Sequence, residues 1–131
     1  RNLVENLLRG LARLIHNSRT GAEVCPPALL KVRRHIESEY DSPLRLEVLA
    51  GMAHMSVPHL CLLFKRYFKT SPIAYLIRQR MHQAAYFLQD KNLKVATVAS
   101  KVGYDDLFYF SKLFKKHYGV GPRAMRRLSA K

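Results

Sequence analysis

The sequence predicts an all-α fold: two three-helix units, each containing a helix-turn-helix, joined by a long helix and preceded by an amphipathic helix. Apolar residues recur at helical spacing along the chain, and no stretch alternates in the manner of a strand. In addition, the pattern of residues 46–66 returns at residues 95–116, with apolar, alanine and basic positions in the same order. A short helix, a tight turn and a longer helix account for each copy, which is the outline of a helix-turn-helix.

The composition indicates a globular and strongly basic protein. The 131 residues are 48% hydrophobic, and 23 Lys and Arg against 9 Asp and Glu give a formal net charge of +14. This excess favours a polyanionic partner, with nucleic acid ahead of an anionic membrane surface. No apolar stretch approaches the ~18 residues of a membrane-spanning helix, and no signal-peptide pattern is present. We therefore predict a cytoplasmic protein that has no membrane partner.

The N-terminal region is predicted to be a linker. Residues 2–17 place seven apolar side chains on one stripe, and residues 17–27, with Gly21 and two prolines, break the helix. We assign residues 1–26 to an amphipathic helix and loop, whose stripe would pack on a missing domain, on this domain, or on a twin helix in a dimer. Because the chain begins at Arg1, without Met, we expect it to be a piece of a longer protein.

Residues 27–131 are predicted to form the tandem unit, with a first subdomain at about 27–72. Ser56 is the expected N-cap of its longer helix, and Pro58 falls in the first turn, where a helix tolerates proline. Its helices are predicted at residues 27–40, 46–53 and 57–69. The expected inward residues of the first of these are Leu30, Val32, Ile36 and Tyr40.

A long helix, opened by Ser71 and Pro72 and covering about 73–89, is predicted to connect this subdomain to a second one. Gly103 supplies the tight turn of the second copy, because a left-handed backbone costs glycine little, and Asp105 or Asp106 caps the helix that follows. The second subdomain is predicted at about 92–128. Its first helix is expected at 94–102, and its second begins at the capping aspartate and ends at about 118. Residues 122–128 are expected to form a final turn or short helix. The expected inward residues of the connecting helix are Tyr75, Leu76, Met81, Ala84, Ala85 and Leu88.

A characteristic set of residues extends along the chain from about residue 30 to residue 127. Its most diagnostic members are Val98-Ala99, Gly103-Tyr104, Tyr109-Phe110-Ser111, Phe114-Lys115-Lys116 and Gly119-Val-Gly-Pro122. It also includes Ile36, Tyr40, Leu46, Leu49-Ala50, Ser56, His59-Leu60, Phe64-Lys65, Ser71-Pro72, Tyr75-Leu76, Arg80-Met81 and Ala84. This pattern resembles the DNA-binding domain of the AraC/XylS family of bacterial transcription regulators. The resemblance implies two homeodomain-like, three-helix subdomains whose recognition helices enter major-groove segments one helical turn, ~34 Å, apart.

The longer helix of each copy is the predicted recognition helix. Residues i, i+1, i+4 and i+5 from Val57 share an outward face, and the repeat places residues from Leu107 on the equivalent face. The resemblance implies that these positions touch base edges. The base-contact candidates are Val57, Pro58, His59, Cys61, Leu62, Leu107, Phe108, Ser111 and Lys112. The opposite faces are expected in the core: Leu60, Leu63, Phe64, Phe110, Leu113 and Phe114.

Basic residues around these helices are candidates for contact with DNA phosphates, which supply affinity and register without reading sequence. For each of them the alternative is an ordinary solvated basic surface, and Arg80 could instead be tied into the structure near the connecting helix. The phosphate candidates are Lys65, Arg66, Arg78, Arg80, Lys115, Lys116, Arg123, Arg126 and Arg127.

The first outward face departs from the usual chemistry of base recognition. It carries none of the Arg, Lys, Asn or Gln side chains that form paired hydrogen bonds with purines. On the second helix Ser111 and Lys112 can donate, and Lys112 is the expected direct reader. The first unit would therefore read thymine-rich or shape-defined sequence, or its apolar tip would meet a protein.

Catalytic and metal sites are not favoured. His54, His59 and Cys61 lack a further convergent ligand, and the paired aspartates are better explained as a helix cap. Cys61 cannot use His59 as a base because residues two apart on a helix point in different directions. Neither Cys25 nor Cys61 belongs to a disulfide framework or a metal-ligand pattern. We predict no enzyme activity, no cofactor and no metal.

Three functional interpretations remain open at this stage. The first is a sequence-specific transcription regulator, an activator by the family's commoner mode, whose effector-binding and dimerising N-terminal domain is missing from this chain. The second is a low-specificity DNA binder, and the third is an interaction module whose apolar tip meets a protein such as RNA polymerase.

Overall fold

The computed structural model describes residues 24–129. The range contains seven helices and no strand, which confirms the all-α prediction, and each helix ends within two residues of its expected bounds. The helices are α1 (Pro27–Ser38), α2 (Leu46–Met52), α3 (Val57–Phe68), α4 (Pro72–Phe87), α5 (Val95–Lys101), α6 (Leu107–Tyr118) and α7 (Pro122–Ser129). The helix predicted at residues 2–17 lies outside the described residues.

The two recognition helices begin at side-chain caps. The Ser56 hydroxyl accepts a hydrogen bond from the backbone N–H of His59 at 3.2 Å. The Asp106 carboxylate accepts from the backbone N–H groups of Phe108 and Tyr109, at 2.9 and 3.1 Å. Each cap satisfies backbone donors that have no partner within the helix. Of the two adjacent aspartates, the second is therefore the cap.

The turns of the two helix-turn-helix units use left-handed backbone at equivalent positions. Gly103 has φ = 101° and His54 has φ = 56°. Histidine is one of the non-glycine residues that adopts this region with moderate cost. The role of His54 is thus explained by the turn itself.

Two apolar cores lie within the described part of the chain, and α4 contributes to both. The first is formed by α1, α2, α3 and the start of α4, and the second by the end of α4 with α5 and α6. The buried residues of the first core are Leu29, Val32, Ile36, Leu49, Ala50, Ala53, Leu60, Phe64, Tyr75 and Leu76. Those of the second are Met81, Ala84, Leu88, Val95, Val98, Ala99, Val102, Tyr104, Phe110 and Phe114.

Some expected core positions are corrected by the structure. In α1 the fully buried residue is Leu29, whereas Leu30 is half-buried. Positions 29, 32 and 36 are three and four residues apart and share one helical face, from which Leu30 is rotated by about 100°. Leu63, Leu113 and Ala85 are likewise half-buried, at the edges of their cores.

Among the described helices, none is by itself both long and apolar enough to cross a membrane; α2 and α3 would satisfy those two criteria jointly, with a bend of 77° between them.

Candidate nucleic-acid interface

The outer surfaces of α3 and α6 consist of equivalent positions. Leu60 and Phe64 anchor α3 in the first core, and Phe110 and Phe114 anchor α6 in the second; all four are fully buried. Fixing one side of a helix with 3.6 residues per turn leaves the opposite side in solvent. Both recognition helices therefore present an outward surface.

The most prominent residues of these surfaces are apolar. Leu62 is 67% exposed on α3, beside the exposed Pro58 and His59, and Phe108 is 75% exposed on α6. Lys112 is also exposed, and its Nζ lies 6.0 Å from the centre of the Phe108 ring. This is the range of a weak cation–π contact, which favours one position for a flexible ammonium group.

The remaining base-contact candidates lie at the edge of the outward surfaces. Val57 packs partly against the first core, and Cys61 and Ser111 are half-buried. Leu107 is 38% exposed at the first position of α6. These four side chains border the protruding Leu62 and Phe108 and are less exposed than those two residues.

Tyr109 belongs to the outward surface of α6 but is not among the base contacts predicted from the sequence. Its side chain is 49% exposed, and its ring lies 5.9 Å from that of the buried Tyr104. The repeat contained the signal, because the offset of 50 residues that relates Leu60 to Phe110 also relates His59 to Tyr109.

Seven of the nine phosphate candidates have exposed side chains. Arg66 additionally lies over the ring of Tyr67, and Arg78 over that of Tyr75, at 5.8 and 5.1 Å from the ring centres. Such stacking orients a guanidinium group and leaves its N–H donors at the edge. The seven exposed residues are Lys65, Arg66, Arg78, Lys115, Lys116, Arg123 and Arg127.

Arg80 was expected among the phosphate contacts, and the structure places it inside the protein instead. It is 9% exposed, and its Nε and Nη2 donate to the backbone carbonyls of Tyr40 and Ser42 at 2.6 and 2.9 Å. The face of the guanidinium lies over the ring of Tyr104, 4.9 Å from its centre. These contacts correspond to the structural alternative that the sequence left open for this residue.

Arg126 also donates hydrogen bonds to backbone carbonyls of the protein. Its Nε donates to the carbonyl of Leu88 at 3.0 Å, and its Nη2 donates to those of Asp90 and Leu93 at 3.3 and 2.7 Å. These carbonyls follow the end of α4, so Arg126 fastens α7 to the second unit. Nε and Nη2 are therefore engaged by backbone carbonyls, a structural role that the sequence did not predict for this residue. The phosphate contact of Arg126 stays a prediction.

A basic cavity of about 460 Å³ opens beside the start of α6. Four basic residues line it together with Leu107: Lys94, Arg123, Arg126 and Arg127. Because Leu107 is the first residue of the recognition helix, the cavity lies next to the outward surface. Cations that converge beside a recognition helix are suited to a backbone phosphate.

The contact between α4 and α6 contains two histidines. The rings of His82 and His117 are 5.7 Å apart in an edge-to-face arrangement. Desolvation at this contact lowers the pKa of His117, and the positive charges of His82 and Arg78 lower it further. A second cavity of about 300 Å³ lies along this contact, between Arg78 and Lys116.

Within residues 24–129, no three His, Cys, Asp or Glu side chains are grouped closely enough to hold a metal ion. Burial raises the pKa of the Cys25 thiol, an effect that the nearby charge of Arg33 opposes.

The family profile described as "Helix-turn-helix domain" matches residues 49–128. The match covers more than half of the chain, and the homologues of the chain are AraC-family regulators. The chain belongs to the AraC family. The family consists of DNA-binding transcription regulators. The AraC/XylS resemblance found in the sequence is therefore confirmed, as is a DNA-binding regulatory function.

Relatives of this AraC-family domain come from several bacteria. It is 33% identical over 93 residues to the HTH-type transcriptional regulator YdiP of Escherichia coli K12, covering 71% of this chain and 31% of that protein. It is 32% identical over 129 residues to the arabinose operon regulatory protein of Salmonella typhimurium, covering 95% and 44% of the two chains. The chain thus spans about a third of the length of the first of these relatives.

Solved structures extend the comparison to the fold. The C-terminal domain of AraT, a response regulator from Geobacillus stearothermophilus, superposes with a TM-score of 0.76 at 33% identity, over 81% of this chain and 88% of that one. The DNA-binding domain of AdpA, solved in complex with a target DNA, gives a TM-score of 0.71 at 26% identity, over 79% and 93% of the two chains.

Proposed function

We propose that this domain binds a specific site on double-stranded DNA as a single copy, with α3 and α6 in two successive segments of the major groove. The observation that carries the proposal is the equivalence of the two outward surfaces. Both helices have 12 residues, both start at a side-chain cap, and both carry adjacent basic residues in the last turn, Lys65-Arg66 and Lys115-Lys116. One chain therefore offers two similar recognition helices.

The helices α3 and α6 differ in the base contacts that their side chains can make. Lys112 can donate to the O6 and N7 acceptors of guanine, and Ser111 can donate to several bases. On α3 the protruding Leu62 and Pro58 have no side-chain donor, and the apolar group that the major groove displays is the thymine methyl. We therefore propose a thymine-containing block under α3 and a block with guanine under α6.

The wider role of the full-length protein is proposed from its family. Regulators of the arabinose, Msm and MmsAB operons are among the relatives, and each is about two to three times as long as the aligned region. We propose a bacterial, cytoplasmic activator that contacts RNA polymerase, in which a further N-terminal domain binds a small effector and forms homodimers. In this proposal residues 1–26 join that domain to residues 27–131.

Selection of bound sequences from a random duplex pool at physiological salt tests the proposal. Two conserved blocks whose centres are ~10–10.5 bp apart are expected if both helices read bases. A single block would mean that one unit only holds the DNA backbone. Recovery of no motif, with binding that weakens equally for all sequences as salt rises, would contradict specific recognition and favour the low-specificity binder.

Replacing thymine by uracil in the block under α3 tests the methyl contact without changing any hydrogen-bonding group. Loss of one buried methyl corresponds to ~0.8 kcal/mol, so we expect about fourfold weaker binding per contacted thymine. In the Leu62→Ala variant the difference between thymine and uracil should disappear. Titration of labelled duplexes measures both, and thymines outside the two blocks serve as the control. An undiminished thymine preference in Leu62→Ala would show that another group reads the methyl.

A further inference from the structure

Arg80 lies where α4 passes from the first core to the second. The helix contributes Tyr75 and Leu76 to the first core, and Met81 and Ala84 to the second. Arg80 is the buried residue that immediately precedes Met81. Its side chain is therefore placed to contact both units.

On the side of the first unit, Arg80 holds the loop that joins α1 to α2. Its two hydrogen bonds end on the carbonyls of Tyr40 and Ser42, which lie in that loop. The side chain of Tyr40 packs against both cores. Hydrogen bonds from a charged donor are the stronger kind, so the loop is firmly attached to α4 at this point.

On the side of the second unit, Arg80 holds the turn of the helix-turn-helix. Its guanidinium lies over Tyr104, and a Cβ added at Gly103 would come within 3.0 Å of it. Tyr104 is 8% exposed, and its ring neighbours are Tyr109 and Phe110 of α6, at 5.9 and 5.8 Å. Arg80 is thus connected through one aromatic ring to the second recognition helix.

Only a guanidinium group can make this set of contacts. Its planar fork of N–H donors can bond two carbonyls at the edge while its face remains on an aromatic ring, whereas a lysine ammonium is a point charge with no face. Without such a lateral connection, the angle between the units would depend on how stiffly α4 resists bending. The contacts of Arg80 remove that freedom from both sides of the helix.

We propose that Arg80 is a positioning residue that sets the relative placement of α3 and α6, and thereby the spacing between the two DNA blocks that this domain accepts. The inference rests on the proposed function, in which both helices contact DNA.

Affinity for duplexes of graded spacing tests this. The two selected blocks are placed at their native separation, and then with one or two base pairs inserted or removed between them. Simultaneous engagement of two linked units raises affinity by ~10²–10⁴, and wrong geometry abolishes the gain. The unmodified protein should therefore lose on the order of 10²-fold at wrong spacings. Arg80→Met should bind more weakly at the native spacing and change by less than about threefold across the series.

Arg78→Met is the matched control, since Arg78 is two residues away on the same helix and is exposed. Its loss should weaken binding by the same factor at every spacing. Arg80→Lys, which keeps a charged donor but no planar fork, should lie between the unmodified protein and Arg80→Met. It also serves as the test variant if Arg80→Met does not fold, as judged by circular dichroism.

A measurement on the free protein separates this inference from the proposed function. Spin labels at Lys65→Cys and Lys115→Cys, with Cys25 and Cys61 changed to serine, report the distance between the recognition helices. The distribution should be narrow in the parent protein and broad when Arg80 is replaced. Unchanged width together with unchanged spacing selectivity in a folded Arg80 variant would overturn the role of Arg80. If the unmodified protein shows no spacing preference, the proposal that α3 and α6 contact DNA together is overturned. The distances between the spin labels would then still test whether Arg80 fixes the placement of the two helices.

Discussion

At the scale of single residues, the same amino acid has different roles because its surroundings differ. Gly51 lies in α2 with nothing within 4 Å of the position of a Cβ, whereas Gly103 has φ = 101° and a Cβ there would lie 3.0 Å from the Arg80 guanidinium. A left-handed backbone is strained for any residue with a Cβ. The two glycines thus form a matched pair for mutation.

Gly103→Ala is expected to destabilise the domain by about 1–3 kcal/mol, because it adds backbone strain and displaces Arg80. Gly51→Ala should stabilise it by about 0.5–1 kcal/mol, because alanine is the better helix former. Urea denaturation of both variants measures the two effects. Equal stabilities would contradict the turn geometry described for Gly103.

Arg126 and Arg127 form a second pair at this scale. Arg126→Gln is expected to cost about 2 kcal/mol of unfolding free energy, because three carbonyls lose a charged donor. Arg127→Gln should change the unfolding free energy by less than about 0.5 kcal/mol, because its side chain is exposed. Thermal or urea denaturation distinguishes the two, and a large effect of Arg127→Gln would indicate a structural contact for that residue.

At the scale of elements, the contact between α4 and α6 links protonation to stability. The pKa of His117 is lowered from its ordinary value of 6.5, so the folded protein binds the proton less tightly than the unfolded chain does. Protonation therefore favours unfolding as the pH falls below that value, until the pKa of the folded state is reached. At pH values well above 6.5 the histidine is neutral in both states, and the effect vanishes.

We expect His117→Gln to weaken the loss of stability between neutral pH and the lowered pKa of His117. Chemical denaturation at a series of pH values measures this dependence. His59→Gln is the control, since His59 is exposed on the outer surface of α3, and it should leave the dependence unchanged. An unaltered pH dependence in His117→Gln would show that other groups cause it.

At the scale of the whole molecule, the repeat makes the two units comparable residue by residue. Lys65 and Lys115 are exposed at equivalent positions of α3 and α6. Each phosphate contact contributes ~0.9 to the slope of log K against log salt concentration. Matched substitutions therefore report whether each unit lies on the DNA.

Lys65→Gln and Lys115→Gln are each expected to lower that slope by ~0.9 if both units are engaged at once. Titrations of the selected duplex from low to high salt measure the slopes. Lys31→Gln, on the exposed side of α1, serves as a control for net charge alone. A reduction confined to Lys115→Gln would show that α6 contacts the backbone and α3 does not.

The sequence by itself determined the helices, their caps, the turns and the family of this protein. These features depend on local rules: helical spacing brings residues three and four apart to one face, and a capping side chain bonds N–H groups two or three residues ahead. The charge excess and the repeat are also local properties that can be counted in the chain. For these reasons Ser56 and Gly103 could be assigned from the sequence, and the cap of α6 could be narrowed to Asp105 or Asp106.

Only the tertiary structure decided which basic residues are available to DNA. Arg80 and Arg126 look like their neighbours Arg78 and Arg127 in the sequence, but their carbonyl partners lie 33–40 residues away along the chain. The choice between Leu29 and Leu30 in α1 is similar, since both fit an apolar stripe and packing against the other helices selects one. Contacts between distant segments follow from how the helices pack, and no local pattern encodes them.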